Sequence, residues 1–391
     1  MVPTPYRLNN MKILYHHRIA SKDGQYVHIS EIVSALKSLG HEIIMVEPNS
    51  INQKEFGKSA KGVQGLRDNL PGFVHELLEF AYSFYDFIKL YKAIKKHQPD
   101  CIYERYNLYL PSGIWAKQWF NLPLLSEVNS PLYDEREKND GIQIKALARW
   151  TERYAWEHAD HVLPVTQVLA NIIEQEGIRQ DKMSVIHNGI NTKNFPWPPA
   201  LSNDILQQYQ LGGKLVLGFV GFVREWHRLD RVLDAIAAHP DENWHLFLVG
   251  DGPGREFLEQ HAQRLGITDK MTITGIISRE NMPQYQSVFD LALQPDVTPY
   301  ASPLKIFEYM ALGKAILAPN MANIKEILSD QHNALLFNDE TDFKQKLVQL
   351  CRDKTLRHQL GQQAHKTLAE KDFYWIANAK KIVNIFKQYA Y

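Results

Sequence analysis

The run Leu215-Val216-Leu217-Gly218-Phe219-Val220-Gly221 is almost wholly apolar and stops at a glycine, and the stretch after it decides the fold. Residues 229–238 carry apolar side chains at helical spacing, and residues 245–249 form a second apolar run that ends at Gly250. A buried run, a helical segment and another buried run read as a strand, helix, strand unit. Strands apolar on both faces belong to parallel sheets covered on both sides. The alternation continues through residues 271–274, 291–294, 304–312 and 315–318.

Upstream the same grammar appears once already. Lys12-Ile13-Leu14-Tyr15 predicts a strand, followed by a loop holding Gly24, a helix from about His28 to Leu39 stopped by Gly40, and a strand at 42–46. Leu77, Phe80, Phe84, Phe87, Tyr91 and Ile94 step by three and four, the spacing of a helix stripe. Further strands are expected at 100–103, 122–127, 160–166 and 183–186. Phe195-Pro196-Trp197-Pro198-Pro199 is stiff enough to connect two domains. Residues before Met11 show no periodicity and read as an arm or leader. Two successive α/β halves place ligands at the carboxyl ends of their strands, with the cleft between the halves as the default site.

Composition excludes several function classes. The 391 residues balance 44 Lys+Arg against 44 Asp+Glu, which argues against a broad nucleic-acid surface. Two cysteines give neither a disulfide framework nor a thiolate zinc site, and they suit a reducing compartment. The longest apolar runs fall short of the ~20 residues of a membrane span. Several catalytic signatures fail on inspection. Gly57-Lys58-Ser59 lacks the earlier glycine of a P-loop, where Asn52 stands. The His41 and His75 segments lack the second histidine of a zinc-protease helix. Gly250-Asp251-Gly252-Pro253-Gly254 has Arg255 in place of the last glycine of a dinucleotide fingerprint.

The segment Thr298 to Lys314 is more informative. Ser302 and Pro303 read as N-cap and first helical position, and Gly313 as the stop. A helix start in a cleft offers free N–H groups and partial positive charge to a diphosphate, and Lys305 adds a full charge. Glu308 lies five residues past Pro303, about 7.5 Å along the axis, a reach from phosphate to ribose. The alternative is an amphipathic helix with a solvated Lys and Glu. Arg224, His227 and Arg228 sit in the loop after the 215–220 strand, where a leaving phosphate would be met. In the first half, Glu127 and Asn129 end a predicted strand, and His28 begins a helix near Gly24; loop-capping and surface roles compete there.

The runs SPLKIFEYMALGKAILAP, VIHNGINTKNF, GFVGFVREWH, LVGDGPGREFLEQ and DFYWIANAKKIV together resemble the retaining GT-B glycosyltransferases of the family 4 type. The resemblance implies an acceptor domain over 11–195, a nucleotide-sugar donor domain over 205–372, and a C-terminal helix, 373–391, crossing back to the first domain. By position it makes Glu308 the ribose-binding glutamate. Ser302, Pro303, Leu304 and Lys305 become the phosphate-contacting helix start, and Arg224 and His227 a basic pair. Gly275, Ile276 and Ile277 match the loop that reads the base, and Gly24 the glycine approaching donor or acceptor. Two positions depart from the pattern: Tyr300 replaces a glutamate eight residues before Glu308, and Arg228 stands where glycine is usual.

The expectation is a metal-independent, retaining transferase without a resident cofactor, using a nucleoside-diphosphate sugar and a glycan or lipid-linked acceptor. Arg224, Lys305, Glu127 and Asn129 are its catalytic candidates, with His28 and the residues above contacting the donor. No nucleic-acid partner is expected. A cytoplasmic location is expected, with peripheral contact at the inner membrane face as one reading of Lys89, Lys92, Lys95 and Lys96; the other is a solvated face opposite a core stripe. A nucleotide-sugar epimerase on the same fold and a non-catalytic nucleotide-sugar-binding subunit, the latter prompted by Tyr300, are the alternatives.

Overall fold

The computed structural model describes residues 10–20, 24–48, 71–139 and 141–389. The P-loop-like Gly57-Lys58-Ser59, most of the N-terminal arm and residues 21–23 just before Gly24 lie outside these residues. The chain forms two compact units. One comprises Met1–His187, Tyr300–Ser302 and Trp375–Tyr391, and the other Asn188–Pro299 and Pro303–Tyr374.

The first unit holds strands β1 (Lys12–His16), β2 (Glu42–Val46), β3 (Cys101–Arg105), β4 (Leu124–Val128) and β5 (His161–Pro164). They pair in the order β2-β1-β3-β4-β5 and every pairing is parallel. The expected strand at 183–186 reduces to a bridge between Val162 and Met183, although Ser184 and Ile186 still donate to the edge of β5. The first helix starts at Gly24 rather than His28, so Gly24 is a helical residue and not a loop glycine. The last helix, Trp375–Tyr389, packs on helix Gly24–Ser38 within this unit.

The second unit contains β6 (Leu215–Val220), β7 (Trp244–Val249), β8 (Met271–Ile273), β9 (Leu291–Leu293), β10 (Ala315–Pro319) and β11 (Leu335–Phe337). Their order is β11-β10-β9-β6-β7-β8, again all parallel. Strands β6 and β7 are almost wholly buried because helices cover both faces. The core behind them gathers Phe219, Leu233, Leu248 and Phe343. The proline-rich stretch expected as a connector packs onto this unit, with Trp197 stacked on His365 at 4.1 Å.

In each sheet the chain runs outward one way from a central strand and then reverses: β1 lies between β2 and β3, and β6 between β7 and β9. At such a reversal the loops leave in opposite directions and open a crevice at the carboxyl ends. In the second unit Tyr309 occupies the start of that crevice. Its hydroxyl accepts from the Val220 N–H at 3.0 Å and approaches the Leu293 carbonyl at 3.4 Å, bridging the ends of β6 and β9.

Candidate active site

Helix Leu304–Ala311 follows β9, and Tyr309 pins it beside β6, so its first turn faces the loop leaving β6. The cap position belongs to Pro303, at φ −70° and ψ 118°, and no side chain caps the helix. The reading of Ser302 as N-cap is corrected accordingly: proline fixes the entry angle and lacks an N–H, so it takes the boundary position itself. The Ile306 amide turns back to the Pro303 carbonyl at 3.2 Å, while those of Leu304 and Lys305, before any intrahelical acceptor, point out of the helix start. Lys305 is half-buried, with its Nζ 3.8 Å from the centre of the Phe219 ring and against the backbone of Gly221. Burial pushes its ammonium down to about 7, against a smaller opposing pull from Glu308.

The loop after β6 forms a short turn, Glu225–His227. His227 is buried, and its Nδ1 accepts from the Arg224 N–H at 3.2 Å. Burial first, and then Lys305, bring its pKa down to about 2. The expectation of a cationic His227 is therefore corrected. It is a neutral imidazole whose Nδ1 acceptance leaves the hydrogen on Nε2. Arg228 is also removed from the expected cationic patch, since its guanidinium engages Asp230 at 3.3 Å. Its φ of +54° explains why glycine suits this position. Arg224 remains exposed, with its guanidinium 5.0 Å over Phe222.

The glycine run 250–254, rejected as a dinucleotide fingerprint, has a positioning role. Val223 donates to the Asp251 carbonyl and Gly254 to that of Val223, each at 3.0 Å. A Cβ at Gly250 would collide with the Gly221 carbonyl, so only glycine lets the two loops lie backbone to backbone. Gly275 has φ +78° and bridges Gly250, and it presents Ile276 to solvent.

Glu308 is buried and fully engaged. One carboxylate oxygen pairs with Arg279, and the other accepts from Gln286 at 2.6 Å. Sequence reasoning missed Arg279. The signal was present, because Arg279 lies in the loop that also holds Gly275–Ile277, but loop length alone does not reveal that it turns back onto Glu308.

In the first unit, Glu127 at the end of β4 collects four donors. His28 lies at 2.9 Å and Arg105 at 2.8 Å, while Tyr103 and Asn129 each lie at 2.7 Å. Burial alone would raise its carboxyl, but His28, Arg105 and Tyr103 outweigh burial and hold it well below the usual carboxylate range. Such a carboxylate holds its neighbours in place and is a poor proton acceptor. His28 also meets the edge of Trp375 at 4.9 Å. Gly24 heads the same helix, about one turn before His28.

A second buried cluster was passed over in the sequence. His16 lies 2.8 Å from Asp86 and 2.7 Å from Glu104. Desolvation opposes its charge, yet Asp86 and Glu104 prevail and raise it to about 10. Ser112 completes the network by donating to Asp86 at 2.7 Å. A lone histidine at a strand end gives no hint of carboxylates arriving from residues 86 and 104.

Tyr300, at the expected glutamate position, is half-buried, and its carbonyl accepts from Thr166 Oγ1 at 2.9 Å.

Comparison with known proteins gives this arrangement a class. Residues 22–194 match the model described as Glycosyltransferase Family 4, and residues 203–367 match Glycosyl transferases group 1. The fold resembles Anabaena HepE, crystallised in complex with UDP-glucose. The TM-score is 0.73 and the identity 18%, over 97% of this chain and 100% of that one. Alpha-monoglucosyldiacylglycerol synthase of Streptococcus pneumoniae is 22% identical over 77% of this chain and 70% of its own. Mannosylfructose-phosphate synthase of Agrobacterium fabrum is 23% identical over 93% of this chain and 86% of its own. The protein is thus an enzyme of the GT-B glycosyltransferase class, built from two Rossmann-like halves with parallel sheets. Within that class the chain belongs to the family 4 type.

Proposed function

We propose that the protein moves a sugar from a nucleoside-diphosphate sugar to a glycan or lipid-linked acceptor, with retention of configuration and without a metal ion or resident cofactor. The observation that carries this reading is Lys305. An ammonium brought close to neutrality by burial stands at the first turn of a helix, at the crevice between β6 and β9. A diphosphate there would restore its proton and gain the first-turn amides as well.

In this reading Arg224 and Lys305 supply charge to the departing diphosphate, and His227 supplies a neutral Nε2–H donor. Charge develops on the leaving group in the transition state, so these groups act on turnover. Ser302, Pro303 and Leu304 set the direction of the first-turn amides, Gly275, Ile276 and Ile277 face the base, and Glu308 takes the ribose hydroxyls after exchanging Arg279 for them. Glu127 acts as a positioning residue that fixes His28 and Asn129, with Gly24 at the start of the His28 helix.

The named relatives favour neither an epimerase nor a binding subunit. UDP-glucose in the HepE complex makes uracil the first base to try. The test is product analysis: incubation with UDP-, GDP- and ADP-sugars and an acceptor extract should release a nucleoside diphosphate and give a product with the donor's anomeric configuration. An epimerised donor without transfer, or an inverted product, overturns the reading.

A further inference from the structure

Helix Gly72–His97 is inverted. Its buried positions include Glu76, Ser83 and Asp86. Glu76 accepts the N–H groups of Gln143 and Ile144 at 2.8 and 2.7 Å, Ser83 donates to the Tyr109 carbonyl, and Asp86 serves the His16 cluster. Over residues 73–88 the polar side of the helix is consumed inside the unit and an apolar side faces out, while Leu90 and Ile94 further on return to the core. This corrects the expectation of a core stripe in part: Leu77 and Phe84 of that stripe are exposed, Phe84 to 59%, whereas Ile94 is buried and Phe87 packs against the core.

At 100° per residue, Phe73, Leu77, Phe84, Ile88 and Lys95 fall within an arc of about 60°. Trp119, 69% exposed, lies 6.3 Å from Phe87 and widens the patch, and Trp150 lies 6.0 Å from Phe80. Every exposed position of the helix is apolar, tyrosine or lysine, and none is acidic. The lysines concentrate at its C-terminal end, where Lys92, Lys95 and Lys96 are exposed. Lys89 leaves the set, because its ammonium donates to the Glu47 carbonyl at 2.6 Å.

We infer that this face docks on an anionic lipid bilayer, with the aromatic and aliphatic side chains entering the interface and Lys92, Lys95 and Lys96 meeting headgroup charge. An amphipathic helix lying in the interface needs this pairing of apolar surface with cations. Among the described residues no helix is long and apolar enough to cross a membrane, so the contact is one of lying on the surface. A second copy of the chain fits the face less well. A two-fold contact opposes like patches and would bring these lysines together with no exposed acid on the helix to answer them.

The test is co-sedimentation of the whole chain, without any donor, on vesicles of phosphatidylcholine alone and of phosphatidylcholine with one-third phosphatidylglycerol. Binding should require phosphatidylglycerol and weaken with salt. Each lysine near an anionic surface contributes about fivefold, so the triple change Lys92→Gln, Lys95→Gln, Lys96→Gln should weaken binding on the order of 100-fold. The pair Phe84→Ser and Ile88→Ser should weaken it at least ~10-fold. Both variants alter exposed side chains and should keep the wild-type circular dichroism and melt. Brominated lipid should quench tryptophan emission in the wild type and quench less in Trp119→Phe. Equal binding to neutral vesicles, no binding, an unaffected triple variant, or a concentration-dependent dimer that protects Trp119 overturns the inference. None of these outcomes depends on the donor reading, because no transfer is measured.

Discussion

Replacing Lys305 with methionine should make the protein more stable and nearly inactive. The ammonium is brought from its ordinary 10.5 to about 7, mainly by burial. At about 1.4 kcal/mol per unit, a shift of that size corresponds to ~4–5 kcal/mol, and the solvent that still reaches a half-buried side chain reduces it to about 2–3 kcal/mol. The sign depends on which state binds more protons. Below pH 7 both folded and unfolded chains hold the proton, and the folded chain bears the full cost of a desolvated charge. Between about 7 and 10.5 the unfolded chain binds more protons, so stability rises with pH. Lys305→Met keeps the shape over Phe219 and removes that cost, so near pH 6.5 the midpoint of thermal unfolding should rise by ~5 °C. Turnover at saturating donor should fall about 100- to 1,000-fold, the loss seen when a charge-stabilising donor is removed. In the wild type, kcat/KM for the donor should decline above pH 7 as free Lys305 loses its proton, while kcat should hold to higher pH because the diphosphate retains it. The assays are calorimetry and diphosphate release across pH. Full turnover in the methionine variant would exclude Lys305 from the diphosphate, and a melt that falls would exclude a desolvation cost at its ammonium.

Three further changes probe the framework. Gly113→Ala should destabilise by about 2–3 kcal/mol, because the new methyl would collide with the Glu104 carboxylate that holds His16; in an ordinary helix the same change stabilises, so the sign in urea denaturation is diagnostic. Arg228→Gly should stabilise by ~0.5–1 kcal/mol by relieving the left-handed backbone, and leave turnover within about twofold, since Arg228 engages Asp230. The His16 contribution should be complete below pH 6.5 and disappear as pH rises through about 10, while that of Asp86, lowered to about 2 by His16 and Ser112 against burial, should vanish as pH falls through 2. From pH 6.5 to 9.5 the loss from His16 opposes the gain from Lys305, so over this interval the urea midpoint of His16→Gln should rise relative to the change seen in the wild type.

The apolar runs around β6 and β7 were legible because strands buried on both faces leave an unbroken signature, and the glycines after them marked the ends. The 304–311 helix was legible through Pro303 at its start and Gly313 just past its end. What escaped was everything set by distance along the chain. His227 looked like a cation because sequence shows the residue and not its burial. Arg279 and Glu308 are 29 positions apart, and Glu104 and His16 are 88 apart, so neither pair leaves a local trace. Helix Gly72–His97 misled differently. Its periodicity marks a helix but not which stripe faces in, and buried Glu76, Ser83 and Asp86 reverse the usual answer over its first part, before Leu90 and Ile94 restore it. Strand 183–186 reduces to a bridge between Val162 and Met183 at the edge of β5, and its apolar run does not show how far the pairing extends.

If helix Leu304–Ala311 and the loop after β6 form a nucleoside-diphosphate site with Glu308 on the ribose, calorimetric titration of the wild type and Glu308→Gln with UDP, GDP and ADP will show it. One of the three should bind the wild type, and the glutamine variant should lose at least ~10-fold in affinity while its ribose-free phosphate contacts persist. If none of the three binds, or if the one that binds does so equally well without the Glu308 carboxylate, the assignment of the site is contradicted.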